Sequence, residues 1–178
     1  MSRGDASREA ILTAALRVVG REGLPASSLG AIAKEAGTSK PAVLYHFGSR
    51  ENLLREMCAR AFQLFQNDIM AGVHGSSEPP GLEHVFSLKH RPILAAAREL
   101  MSLGQRDPII GEMVGKCFGE IERAVALLMP DSVSDPLDRA EDIVRSAHGF
   151  VQVWLCSGDD NPEPYKEGTR RTIARIMS

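Results

Sequence analysis

Lys40, Tyr45, His46 and Arg50 fall within a stretch of eleven residues, in the company of Thr38, Ser39 and several small apolar side chains. Cations, hydroxyls and flat rings at this density suit holding phosphate oxygens and touching base edges, not making or breaking bonds. To do that they must ride one face of a short helix. Ser39 is placed to cap such a helix, and Pro41 falls in its first turn, where a missing N–H costs little. Val43 and Phe47, four residues apart, turn that helix inward and point Lys40, Ala42, Tyr45 and His46 largely elsewhere. Upstream, Ser28 (or Ser27) caps a partner helix with Ile32 and Ala36 on one face and the small Ala33 at the crossing. Gly37 ends that partner, because glycine reaches the left-handed conformation that a helix stop and sharp turn require. Residues 27–50 therefore read as a helix-turn-helix. In that motif the first helix crosses the phosphate backbone and the second lies in the major groove.

The elements around the motif are helical throughout, and about nine helices are predicted. A first helix over about 7–22 carries Ile11, Ala14, Ala15, Val18 and Val19 on one side, and Gly23 and Pro25 stop it. A fourth begins after Ser49 and runs to about Ala71 with a stripe of Leu54, Met57, Cys58, Ala61 and Phe65. Residues 72–81, rich in Gly, Ser and Pro, read as a loop. Shorter helices follow over about 82–90 and 92–105, broken at Arg91-Pro92 because a residue before proline avoids the helical region. Asp107-Pro108, Asp135-Pro136 and Pro164 open three more, the first of which ends at Pro130. The helix over 136–157 has Ala140, Ile143, Val144, Ala147, Val151, Trp154 and Leu155 on one stripe, with Phe150 and Val153 on other sides and Gly149 open to close approach. A helix apolar nearly all round is buried on more than one side. Periodicity alone leaves open whether this is a central core helix or an interface.

Composition excludes several classes. The 178 residues carry a formal charge of only -2, yet residues 1–60 hold nine Lys or Arg against six Asp or Glu, a net +3 that leaves -5 for the remainder. A basic head on an acidic body concentrates phosphate attraction at one end. No apolar run approaches the roughly 20 residues needed to span a bilayer, and no signal-peptide pattern is present, so a cytoplasmic protein with no membrane partner is expected. Cys58, Cys117 and Cys156 are odd in number and widely separated, which points to core packing. No CxxC or Cys/His cluster exists, and neither metal nor cofactor is expected. His46, His74, His84, His90 and His148 show no metal-ligand spacing. No glycine-rich phosphate loop or GxSxG motif occurs, and Glu120 and Glu122 beside Arg123 read as solvated surface, so no enzyme is expected.

The run from Ala33 to Leu54, A-K-E-A-G-T-S-K-P-A-V-L-Y-H-F-G-S-R-E-N-L-L, resembles the DNA-binding domain of the TetR family of bacterial transcriptional repressors. With the helix before it and the start of the helix after Ser49, the resemblance covers about the first third of the chain. It implies an all-α fold: a three-helix N-terminal domain over 1–48 and a helical effector-binding and dimerisation domain over 49–178. It also implies a homodimer paired through the last two helices, which would read two operator half-sites in double-stranded DNA about one helical turn, roughly 34 Å, apart. Ser28 at a helix N-terminus is suited to receive a phosphate, Lys40 to reach a guanine edge or phosphate, and Pro41 and Ala42 to meet a thymine methyl; Tyr45, His46 and Arg50 follow as phosphate ligands, a duty that the resemblance implies for His46 and Arg50. Two departures stand out. Leu44 occupies a place where many relatives carry tyrosine, and Tyr45 follows one residue later, a rotation of about 100° on a helix. Gly30 stands where some relatives have a base-reading arginine. Specificity is therefore expected mostly from Thr38 to Ala42, with Tyr45 on the backbone and Leu44 packing or touching a base edge.

The same resemblance implies a repressor released by a small, largely hydrophobic ligand among the middle helices. The apolar helices with a few polar groups supply its candidate residues: Phe62, Phe86, Leu100, Met101, Met113, Cys117, Phe118, His148, Gln152 and Trp154. A DNA-binding regulator governed by a protein partner, or by no effector, is the alternative.

Overall fold

Helix boundaries follow the caps. In the computed structural model, which describes residues 3–75, 82–86 and 90–178, α1 spans Arg3–Glu22, α2 Leu29–Glu35, α3 Lys40–Phe47 and α4 Arg50–Gly75. After them come α5 Arg91–Met101, α6 Pro108–Ala126, α7 Pro136–Ser157 and α8 Glu163–Met177. No strand occurs among the described residues, and no helix there is long and apolar enough to cross a membrane. The Ser28 hydroxyl accepts the Ala31 N–H at 3.1 Å to open α2, Ser39 accepts that of Ala42 at 3.3 Å to open α3, and Ser49 that of Asn52 at 3.1 Å to open α4. Each such cap satisfies an N–H that the first helical turn leaves without a partner.

The later elements differ from the sequence-based expectation in extent. The predicted helix over 82–90 is a single 3-10 turn at Leu82–Val85, with residues 87–89 outside the described set. α4 continues through Gly72 to Gly75, so the predicted loop starts later, and its remainder, 76–81, also lies outside the described residues. The predicted 92–105 helix tightens at Ser102–Gln105 into a 3-10 turn, where Gly104 packs backbone to backbone on Gly111. Both glycines are tight: a Cβ on Gly111 would stand 3.0 Å from the Gly104 carbonyl oxygen, and one on Gly104 3.2 Å from the Gly111 Cα.

Packing divides the chain into two units, Met1–Gln63 with Pro92–Val114, and Leu64–Arg91 with Gly115–Ser178. The turn between α3 and α4 lies at residues 48–49, and the first part of α4 packs with the head. In the first unit α1 buries Ile11, Leu12, Ala14, Ala15, Leu16, Val18 and Val19, a wider face than its stripe suggested. They join Ile32, Val43, Phe47, Leu53, Met57 and Phe62 in one core, to which the second segment adds Leu94, Leu100 and Ile110. Full burial of each large apolar side chain contributes on the order of 1.5–3 kcal/mol. Cross-helix ion pairs frame this core: Arg8 with Glu56, Arg60 with Glu9 at 2.7 Å, and Arg55 with Asp107 at 2.9 Å. The last holds the Asp107 carboxyl below the usual carboxylate range.

In the second unit Trp154 and Phe86 are fully buried with ring centroids 5.9 Å apart. The Trp154 indole N–H donates to the Asp159 carbonyl at 3.0 Å, and the Arg91 guanidinium lies over the indole at 5.5 Å while pairing with Asp160. These contacts tie the turn after α7 to Arg91 within this unit. α7 and α8 approach closely at Gly168, where a Cβ would lie 2.7 Å from the Phe150 ring.

A sharper constraint sits in α1, where a Cβ on Gly20 would overlap the backbone carbonyl oxygen of Pro92. Backbone cannot swing aside like a side chain, so Gly20→Ala is expected to lower stability by roughly 1–3 kcal/mol despite alanine's better helix propensity. Gly115→Ala, at an exposed α6 position where a Cβ meets nothing within 4 Å, is expected to raise stability by up to about 1 kcal/mol. Urea unfolding of the two variants at one protein concentration checks the opposite signs.

Candidate nucleic-acid interface and interior cavity

α3 is eight residues long and is held by two of them. Val43 is 0% exposed and Phe47 is buried, while Lys40 and Pro41 are exposed, Tyr45 is 86% exposed and Leu44 37% exposed. Ala42 and His46 are half-buried. The turn into α3 is made by Gly37 at φ +63, with the Thr38 N–H on the Ala33 carbonyl at 2.9 Å, and the exit by Gly48 at φ +74. Both angles lie where an L side chain is strained. The exposed face thus presents Thr38, Ser39, Lys40, Pro41, Leu44 and Tyr45 to solvent, with Ser28 exposed at the start of α2. His46 packs edge-on against Tyr45 at 5.4 Å and against Phe47 at 6.5 Å.

The structure adds residues that sequence reasoning passed over. Arg8 lies over the Phe47 ring at 4.9 Å and pairs with Glu56, so α1 holds the end of the reading helix from behind. A cation–π contact leaves no local pattern in a sequence, because its partners are 39 residues apart. Arg50, expected on phosphate, donates to the Leu24 carbonyl at 3.3 Å. Arg8, Arg21, Arg55 and Arg60 are engaged by carboxylates. The basic excess of the head therefore reaches solvent chiefly at exposed residues such as Arg17, Lys34 and Lys40.

Inside the second unit a cavity of about 20 Å³ is lined by Phe65, Leu82, Val85, Phe118, Ile121, Val144, Ala147, His148 and Val151. That is room for about one water. Of the ten residues expected at a ligand site, Phe118 and His148 line the cavity, with their rings edge to face at 5.1 Å. Gln152 reaches it indirectly, its amide nitrogen 3.3 Å from His148 Nε2. Phe86, Cys117 and Trp154 are buried in the same unit but away from the lining, and Phe62, Leu100, Met101 and Met113 belong to the first unit. An apolar stripe marks which face of a helix is buried; it carries no sign of which buried residues border a void. Phe65, Val144, Ala147 and Val151 were legible only as core for that reason. Burial pushes the Cys58 thiol up to about 12 and that of Cys117 to about 11, which leaves both as inert packing groups. Among the described residues no group of three or more His, Cys, Asp or Glu is placed to hold a metal ion.

A short helix that buries one face and exposes cations, hydroxyls and a tyrosine on the other, joined by a glycine turn to a capped partner, defines a helix-turn-helix protein. Residues 11–57 match the sequence model of bacterial regulatory proteins of the tetR family. The first third of the chain is thus similar to the DNA-binding part of that family. It is 26% identical over 129 residues to the HTH-type nicotine-responsive transcriptional repressor HdnoR of Paenarthrobacter nicotinovorans, an alignment covering 68% of this chain and 66% of that one. The chain spans less than two thirds of the length of the curated relatives it matches. A transcriptional regulator from Rhodococcus sp. Rha1 superimposes with a TM-score of 0.86 at 16% identity, over 95% of each chain. The multidrug binding protein EbrR complexed with malachite green does so with a TM-score of 0.71 at 21% identity, over 96% of this chain and 98% of that one.

His148 gives this unit a pH signature. Burial holds its imidazole below the ordinary 6.5, so the unfolded chain takes up the proton first as pH falls. The stability it confers is fully present above about 6.5 and is lost as pH drops from there toward the native value. Melting temperatures of the wild type measured between pH 7.5 and 5 are expected to fall more steeply than those of His148→Asn.

Proposed function

We propose that the chain is a homodimeric, sequence-specific DNA-binding repressor that a small, largely hydrophobic ligand releases from its operator. The observation that carries this reading is α3, with Val43 and Phe47 buried and Lys40 and Tyr45 exposed on the opposite side. Lys40 near the helix start is suited to a guanine edge, Pro41 and Ala42 to a thymine methyl, and Thr38 and Ser39 to the flanking contacts. The half-exposed Leu44 adds an apolar touch to the groove floor. Ser28 at the start of α2, with Tyr45 and His46, takes phosphates. One such helix contacts too few base pairs for useful specificity, which is the physical reason for a two-fold dimer. Val153, 59% exposed on α7, and the exposed Gly149 one turn before it offer an apolar strip for a second copy.

Release by a small molecule is supported by the apolar lining around His148 and by the nicotine response of HdnoR and the malachite green complex of EbrR. Drug-sized ligands fill several hundred Å³, so entry requires the Phe118 ring and neighbouring side chains to give way. The small resting cavity favours, by the same measure, a second reading in which a protein partner or no effector acts. A coupling of about 1–3 kcal/mol between ligand and operator changes DNA affinity by roughly 5 to 150-fold.

Duplexes selected by the protein from a random-sequence library test the core of this reading. Lys40→Ala is expected to cost about 1–3 kcal/mol on the selected site and to relax its preference over scrambled duplex. Tyr45→Phe is expected to weaken both alike, and a tyrosine change that relaxed preference would reject this division of labour. Thermal-shift screening of the dimer, with sedimentation for its stoichiometry, separates ligand control from the second reading, since a true ligand raises the melting temperature by mass action.

A further inference from the structure

Leu24 is a loop residue with no side-chain chemistry, yet both polar groups of its backbone are engaged. Its carbonyl accepts from the Ser27 N–H at 3.2 Å, from the Ser27 hydroxyl at 2.7 Å and from the Arg50 guanidinium at 3.3 Å. Its N–H faces the Glu99 carboxylate at 3.5 Å, and the other oxygen of Glu99 is held by Arg98 at 3.3 Å. The hydroxyl-bearing Ser27 is buried, and the next residue, Ser28, is the cap of α2. The position of Leu24 therefore sets where the helix-turn-helix begins. Two elements remote in sequence grip it: α4 through Arg50 and α5 through Glu99.

We propose that Arg50 and Glu99 are positioning residues of the DNA-reading unit, bracing the α1–α2 loop through the backbone of Leu24, and that the Arg50 guanidinium serves this brace and not a phosphate. Arg50 is the first residue of α4, where a positive charge opposes the helix dipole, and the carbonyl oxygen in front of it compensates for that placement. Half-buried, it is less free to follow a backbone than the exposed Lys40. Glu99, as a carboxylate, repels phosphate, so its direct effect on DNA binding is unfavourable, and a loss of affinity on its removal passes through the loop. The inference rests on the DNA-binding reading.

Salt dependence separates a brace from a phosphate contact, because each phosphate neutralised adds about 0.9 to the slope of log affinity against log salt. With the full-length chain and a duplex selected from a random library by the wild type, Arg50→Ala is expected to weaken binding on the order of tenfold with the slope unchanged. Glu99→Ala is expected to weaken binding in the same direction with the same slope, and the double variant to lose less than the product of the two. Amide exchange at Ala31 and Ile32 is expected to quicken in both single variants. A slope reduced by about 0.9 in Arg50→Ala overturns the proposal. So does unchanged affinity in Glu99→Ala, which decides the matter alone if Arg50→Ala does not fold. A wild type that enriches no duplex rejects the DNA-binding reading itself, and this inference with it.

Discussion

An eight-residue helix does not hold together in water, since nucleation costs more than so few hydrogen bonds return. α3 exists because Val43 and Phe47 are pressed into a core built by α1, and because Ser39 and Gly48 close its two ends. Everything the exposed face of α3 can do depends on that burial. A side chain on the solvent side is free to suit a target only if the opposite side is anchored well enough to keep the backbone fixed. The Arg8 guanidinium over Phe47 serves the same end from outside the core, and its ion pair with Glu56 brings the first turns of α4 into the same arrangement.

Local chemistry was legible in the sequence, and non-local chemistry was not. Ser28, Gly37, Ser39 and Pro41 announced the motif because caps, turns and helix starts depend on residues three or four apart. Val43 and Phe47 announced its buried face by spacing alone. The long helices α6 and α7 began where Asp107-Pro108 and Asp135-Pro136 put them. The 82–90 segment was different: among its described residues Leu82, Val85 and Phe86 are buried, as the pattern implied, but Leu82–Val85 forms a 3-10 turn where an α-helix was expected. The border of the cavity and the contact of the Arg50 guanidinium with the Leu24 carbonyl were illegible for a related reason. Both are set by which helices meet, and no spacing within one helix records that.

Charge tells a similar story on a larger scale. The basic excess of residues 1–60 was visible by counting, and it falls on the end of the chain that carries the helix-turn-helix. Counting did not reveal that several of the arginines are engaged by carboxylates, which leaves the field to a smaller set of exposed cations. Net charge describes attraction from a distance; contact geometry depends on which charges are already neutralised. In this head arginine mostly builds the scaffold, and lysine is left at the surface.

The contact of Gly20 with the Pro92 carbonyl bears on how portable such a head is. The resemblance implies a three-helix domain over 1–48, which by itself would make the head a contiguous piece of chain. The backbone of α1 instead rests directly on the start of α5, and residues 92–114 complete the core beneath the helix-turn-helix. A chimera made at residue 48 or 63 would leave the face of α1 that meets Pro92 against a foreign backbone with no reason to match it. The packing unit is discontinuous, and moving such a head intact means carrying two stretches of chain together.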